Sequence, residues 1–271
     1  LLLEHGHAVV TGSDISASSP VGVFVGMMGT VTADRSSSRV MSDASGFAAT
    51  GAMLSVAAGR LSYLLGLTGP CLTTDTACSS ALVALHMSSI ALKQGESRTA
   101  VAAAVNVLLD SWIFTAYATA GMLSPRGRCH TFDTRADGYC RGEGVVSFSL
   151  RRDGRVARLL SSAVQQDGPS ASLTAPNGSS QRRLLREAGA AAVSALGAHG
   201  TGTALGDPIE VGSVADVMGR ARVASVKANI GHLEAAAAAS GALAVLATGA
   251  MPNAQLRTLN PPLARFSVDI S

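Results

Sequence analysis

The stretch "DTACSSALVALHMSSIALKQG", residues 75–95, sets a cysteine where a polar turn becomes a helix. The residues before it, "PCLTTDTA", read as a strand, and helical spacing carries on to about Lys93, with Gly95 as the residue that stops the helix. Strand, turn and helix in that order are the building unit of an α/β protein. Cys78 has two readings. A lone cysteine is most often a small packed hydrophobe. A cysteine at a helix start is also a candidate nucleophile, because the helix N-terminus favours negative charge by roughly 1 kcal/mol. That is too little to turn a thiol of pKa about 8.5 into a thiolate at neutral pH, so a base or hydrogen-bond donor elsewhere must contribute.

The rest of the chain supports an α/β reading. It has 271 residues, 47% of them apolar and 4% aromatic, with 29 glycines, a composition suited to helices packed closely on sheets. "LLLEHGHAVV" reads as a helix already under way, which points to a fragment. "VGVFVGMMG" (21–29) is a buried strand candidate, "RSSSRVMSDASG" (35–46) a polar loop, and "GAMLSVAAGRLSYLLG" (51–66) a helix ending on Gly66. "TAVAAAVNVLL" (99–109), "VVSFSL" and "VARLLSSAVQQDG" (156–168) read as strands. The glycine- and charge-rich stretch 121–144 is the kind of loop that carries function.

Several function classes find no support. The net charge is +3, and the densest arginine group (Arg151, Arg152, Arg155, Arg158) has no interleaved aromatics, so it reads as a solvated loop, not a nucleic-acid site. Four cysteines in so long a chain make no disulfide framework, and no CxxC or HExxH pattern suggests a metal. The uncharged run 235–256 is mostly Ala, Gly and Ser, broken by Pro252, and reads as a buried helix, not a membrane span.

The second half repeats the device of the first. "ARVASVKANIGHLEAAAAASGALAVLATG" (221–249) is again strand, turn and alanine-rich helix, now with His232 at the turn and Lys227 five residues earlier. "GAHGTGTALGDPIE" sets His199 among glycines and threonines at a strand end, where backbone can approach a ligand. His5, His7 and His86 fall on helices, and His130 in the long loop reads as structural. Two such units suggest a duplicated architecture, with halves at 1–150 and 151–271.

Four motifs, "DTACSSALVALH", "SPRGRCHTFDTRADGYCRGEG", "GAHGTGTALGDPIE" and "VKANIGHLEAAA", resemble those of β-ketoacyl synthase (ketosynthase) domains of polyketide synthases and type I fatty-acid synthases. The resemblance implies a thiolase-like α-β-α-β-α fold of two similar halves, here without the first strand and the last strands. It implies a decarboxylative Claisen condensation in which Cys78 carries the acyl chain and His199 and His232 act on a malonyl-type extender. Lys227 and Asp207 would support the histidines, and Thr201 and Thr203 would bind the pantetheine arm. No bound cofactor is implied, the substrates riding on the phosphopantetheine of acyl carrier protein. The implied partners are that carrier and a second copy of the chain, within a larger synthase in the cytoplasm or in an organelle such as a plastid.

Alternatives differ in their reactive groups. A degradative thiolase would use a second cysteine near the C-terminus, and none follows Cys140. Chain-initiating relatives pair Cys with His and Asn, whereas both motifs here supply His. A non-catalytic or inactive ketosynthase-like fragment is the remaining alternative. The chain departs from the family pattern at Gly197, where an acidic residue is usual, and at Ala238, where a glycine is. It also ends before the family's final glycine-rich segment.

Overall fold

Alternation along "VGVFVGM" organises the first part of the molecule. The computed structural model describes residues 1–13, 20–29, 50–51, 53–153, 156–172, 174–249 and 251–270; the loop expected at 35–46 lies outside them. Strand β1 (Val21–Met27) points successive side chains to opposite faces. Val21, Val23 and Val25 make one face, buried with Ala58, Leu61, Val101 and Ala103. Phe24 makes the other, with Ala84, Ala91, Leu92 and Ala100. The glycines beside Phe24 have distinct duties. A Cβ on Gly22 would meet the Phe24 ring at 2.7 Å, and one on Gly26 would meet the Ser80 backbone at 2.5 Å. So the valine face receives helix α1 (Leu2–Gly12) and helix α2 (Leu54–Leu65), and the glycine face receives helix α3 (Ser80–Gln94).

The sheet around β1 has the order β2-β1-β3-β4, with β2 spanning Cys71–Thr74, β3 Thr99–Asn106 and β4 Gly144–Arg151. β1 pairs in parallel with β2 and β3, and β4 joins β3 antiparallel. β3 is buried throughout, as its Ala and Val content requires of a central strand covered on both faces. α3 closes as the sequence predicts: Gly95 adopts φ 81° and its amide donates to the Ala91 and Leu92 carbonyls. Arg152 also donates to the Leu92 and Lys93 carbonyls there. It thereby caps the helix while staying exposed, because the last turn of α3 leaves carbonyls without intrahelical partners.

The chain forms two compact units: 1–116 with 143–156 and 234–239, and 117–142 with 157–233 and 240–271. In the second, three short parallel strands follow the order β5 (Ala195–Gly197), β6 (Arg222–Ala224) and β7 (Asp269–Ile270). Phe132, Val211, Val214, Met218, Val223 and Leu263 form its core. Its main helices are α5 (Gly178–Glu187) and α6 (Gly206–Met218). α4 (Ser111–Thr119) precedes them in the chain, and the short α7 (Lys227–Ile230) and α8 (Ala237–Thr248) follow. Asp133, fully buried, ties the loop after Cys129 to the later chain: it accepts from the amides of Arg257 (2.6 Å) and Thr258 (3.0 Å) and from the Arg135 guanidinium. Two sequence expectations change. The segment 156–168 is not a strand; Val156 and Leu160 are exposed, and among the described residues it has no ladder partner. Apolar content alone does not hold a strand without a neighbour for its backbone groups. The run expected as one buried helix starts with a 3₁₀ turn, Glu234–Ala236, and α8 leaves Leu243 and Leu246 exposed. No described helix is long and apolar enough to cross a membrane.

The two kinds of glycine can be separated by substitution. Gly26→Ala forces a methyl into the Ser80 backbone and should destabilise the protein by about 1–3 kcal/mol. Gly59→Ala, inside α2 with nothing within 4 Å of the new methyl, should stabilise it by about 0.5–1 kcal/mol. Urea unfolding of both variants checks this; equal midpoints would contradict the close approach of β1 and α3.

Candidate active site

Cys78 sits in a 3₁₀ turn, Ala77–Ser79, between β2 and α3, so the helix proper begins two residues beyond the expected start. The turn is tightly specified. Asp75 accepts from the Ala77 amide (3.1 Å) and from the Gly29 amide (2.9 Å). Ser80 Oγ accepts from the Thr76 amide (2.8 Å) and donates to the Ala77 carbonyl (2.7 Å). Ala77 takes φ 52°, a left-handed conformation that costs a non-glycine residue roughly 1–2 kcal/mol. These bonds hold that strained residue in place, and it turns the chain sharply just before the half-buried Cys78 thiol. Within the same unit the Glu234–Ala236 turn packs against Ala77–Ser79.

In the second unit the spacing of "GDPIE" explains how His199 is mounted. Asp207, in the first turn of α6, and Glu210, one turn on, stand three apart, so both carboxylates share a helix face. Glu210 accepts from the His199 amide (2.5 Å) and the Gly200 amide (2.8 Å). Asp207 accepts from the Gly202 (3.2 Å), Thr203 (3.4 Å) and Phe132 (2.8 Å) amides. The loop backbone thus wraps two carboxylates, Asp207 buried and Glu210 half-buried. Gly200 (φ 44°) and Gly202 (φ 75°) supply left-handed turns, and a Cβ there would meet Ser225 at 2.6 Å and the His130 backbone at 2.8 Å. Thr201 and Thr203 lie on this loop with their hydroxyls 3.4 Å apart. Burial raises the Asp207 pKa to about 6 against the pull of its three amide bonds, and raises that of Glu210 as well.

Lys227, buried at the start of α7, donates from Nζ to the His199 carbonyl at 2.6 Å. His199 is therefore gripped at both backbone ends, its amide by an acid and its carbonyl by a cation. His232 is held by strand-like pairing with the loop 140–142: its amide donates to the Cys140 carbonyl (2.7 Å) and its carbonyl accepts from the Gly142 amide (2.9 Å). The two imidazoles meet edge to face with centroids 5.7 Å apart, and Tyr139 tilts over His232 at 5.0 Å. Burial first, then the Lys227 charge, pulls the His232 pKa down to about 2. The same two causes pull the His199 pKa down to about 3, and His232 goes lower because the His199 and Arg141 charges add to them. Both rings are neutral at neutral pH, and each then carries one N–H donor. A buried lysine beside two neutral donors makes a place for developing negative charge, and a poor one for a cation.

The structure thus brings together His199, His232, Lys227, Asp207, Thr201 and Thr203 in one unit and sets Cys78 on the strained turn of the other. Sequence reasoning did not single out Glu210, although the acidic pair three apart at a helix start was a usable signal.

Residues 2–154 match the family described as beta-ketoacyl synthase, N-terminal domain, and residues 156–255 match the beta-ketoacyl synthase, C-terminal domain. Similar proteins include the spectinabilin polyketide synthase system protein NorA of Streptomyces orinoci, 41% identical over 268 residues, which are 90% of this chain and 14% of that protein. Erythronolide synthase EryA2 of Saccharopolyspora erythraea is 42% identical over 256 residues, 86% of this chain and 7% of its own length. Among solved structures, the ketosynthase from module 6 of the bacillaene synthase of Bacillus subtilis 168 superposes with TM-score 0.86 at 29% identity, covering 100% of this chain and 51% of that one. The Streptomyces albus JA3453 oxazolomycin ketosynthase domain OzmH KS7 gives 0.90 at 30% identity, covering 99% and 52%. The chain therefore spans about half of these solved ketosynthase chains and a small part of the synthases.

The neutral burial of His232 has a sign that can be measured. Its folded pKa lies below the unfolded value of about 6.5, so its contribution to stability is complete above that pH and is lost as pH falls toward the folded value. Asp207 and Glu210, raised by burial, act in the opposite direction, so the useful quantity is the stability difference between wild type and His232→Gln. From pH 6.5 to 4, wild type should lose up to about 1.4 kcal/mol per pH unit relative to that variant. Urea unfolding at stepped pH measures it, and a pH-independent difference would contradict a neutral buried ring.

Proposed function

The chain belongs to the β-ketoacyl synthase family, and we propose that its site performs the decarboxylative Claisen condensation of polyketide assembly. The observation that carries this reading is the pair of neutral imidazoles at 5.7 Å, beside Lys227 and on a backbone clamped by Glu210. The Cys78 thiolate attacks an acyl thioester carried on the phosphopantetheine of acyl carrier protein; the C–S bond to the carrier breaks and the pantetheine thiol leaves with a proton. A malonyl-type thioester then enters, with Thr201 and Thr203 holding its pantetheine arm. Its carboxylate departs as carbon dioxide, and the electron pair of the broken C–C bond moves onto the thioester as an enolate. The His199 and His232 N–H groups meet that oxygen. The carbanion attacks the acyl carbonyl on Cys78, the new C–C bond forms, and the C–S bond to Cys78 breaks, returning the thiolate.

Chain connectivity supports the partnership of cysteine and histidines. His232 stands two residues before Glu234, and the Glu234–Ala236 turn packs beside Cys78 within the first unit. Lys227 and Asp207 are positioning residues in this scheme, acting through the His199 and Gly202 backbones. The partners are acyl carrier protein and a second copy of the chain, in a cytoplasmic multidomain synthase, as the similarity to polyketide synthases supports.

Two experiments separate the roles, both on the full-length protein. Cys78→Ala should abolish acyl-enzyme detected by mass spectrometry, while Cys78→Gln should keep malonyl-carrier decarboxylation and lose condensation. Acylation surviving in Cys78→Ala would remove Cys78 from the mechanism. His199→Ala and His232→Ala should each slow decarboxylation by roughly 10²–10³-fold, the worth of one preorganised donor. Acylation should fall far less in at least one of the two. If both variants stop acylation as completely as Cys78→Ala, the imidazoles activate the thiol instead.

A further inference from the structure

Two cysteines outside the proposed mechanism lie next to the support of His232. Cys129 is buried and Cys140 half-buried. The Cys140 amide donates to the Cys129 sulfur at 3.2 Å, and the Cys129 thiol donates to the Cys140 carbonyl at 3.6 Å. One sulfur therefore touches both backbone groups of the other cysteine, so the two residues are direct neighbours, and the Cys140 thiol, which donates to the Arg141 carbonyl at 3.4 Å, gives up that bond to turn toward Cys129. The Cys140 carbonyl is also the acceptor of the His232 amide. Thiol, carbonyl and imidazole-bearing backbone form one chain of bonds. The packing there has little slack, since a Cβ on Gly231 would meet the Cys140 carbonyl oxygen at 3.1 Å.

We infer that Cys129 and Cys140 are a redox-sensitive pair, joined into a disulfide by a hydroperoxide and returned by a thiol reductant, and that the bond displaces His232. In the first step the Cys140 thiol gives two electrons to the O–O bond: Cys140–SH and ROOH become Cys140–SOH and ROH. In the second, the Cys129 sulfur attacks the sulfenic sulfur; the S–S bond forms, the S–O bond breaks, and hydroxide leaves with the Cys129 proton as water. The order follows from the surroundings. Burial pushes the Cys129 thiol up to about 11, so it resolves rather than initiates, and the more accessible Cys140 meets the oxidant. Disulfide formation removes the Cys129 S–H bond to the Cys140 carbonyl and draws the Cys140 main chain toward Cys129. The 140–142 pairing that fixes His232 moves with it. The effect on catalysis rests on the function proposed above; the disulfide and the displacement do not.

Trypsin separates the pair cleanly, because cleavage after Arg128, Arg135 and Arg141 puts the two cysteines in different peptides. Full-length protein treated with hydrogen peroxide, alkylated and digested should yield peptides 129–135 and 136–141 joined, at the summed mass less two hydrogen atoms, and dithiothreitol should part them. In ¹⁵N-histidine-labelled protein, the ring signal that is missing from His232→Gln should shift on oxidation and return on reduction, and Cys140→Ala should show neither change. Malonyl-carrier decarboxylation should fall at least tenfold in the oxidised form and recover with reductant. Absence of the joined peptides, pairing of Cys140 with Cys71 or Cys78 instead, or joined peptides with an unmoved His232 signal would overturn the inference. An untreated protein with no decarboxylation would overturn the functional reading alone, because peptide and ring signals still decide this one.

Discussion

The site depends on a charge arrangement that acts through backbone. Glu210 and Lys227 touch opposite ends of one residue, His199, and both of these bonds go to its main chain, not to its ring. Charge-assisted bonds of this kind are roughly twice as strong as neutral ones. They fix where the imidazole starts while leaving its nitrogens available for chemistry. The Lys227 charge also helps to keep both rings neutral, so the same cation positions the donors and sets their protonation state. Glu210 in turn offsets a lysine that is expensive to bury alone.

The two mounts use different backbone devices. Around Cys78 the strain is local: Ala77 is left-handed, and a web of Asp75, Thr76, Ser79 and Ser80 side chains replaces the bonds that a regular helix start would lack. Around His199 the glycines absorb the left-handed turns and the strain is low, so carboxylates supply the order. A half-buried thiol at a helix entrance and a backbone wrapped around two carboxylates meet the same need, a side chain held still on an irregular segment.

Much of the first unit was legible in the chain. The β-branched run of β1 closed by glycines, the helical run to Gly95 and the apolar, alanine-rich β3 carry strong signals, and the strand and helix types followed from them. The misreadings came where tertiary partners decide. Residues 156–168 have strand-like composition but no neighbouring strand among the described residues, and the capping bonds of the exposed Arg152 could not be read because their acceptors lie at the end of a helix 60 residues earlier. The family motifs made the type of active site readable, since each packs reactive and glycine residues into a short span. The role of Glu210 was not readable in the same way. Its bonds go to main-chain amides, and a pattern of side chains does not announce which amides a carboxylate will meet.

The grip on His199 has a further consequence for how the site assembles. Its amide and its Glu210 partner are 11 residues apart, whereas His232 waits for the loop 140–142, about ninety residues earlier in the chain. Loop-closure entropy grows with the logarithm of the separation, and the difference between these two spans is about 2 kcal/mol. The first imidazole is therefore seated by local sequence and forms with its helix. The second is seated only when distant parts of the chain have met, so completion of the pair reports that long-range folding is finished.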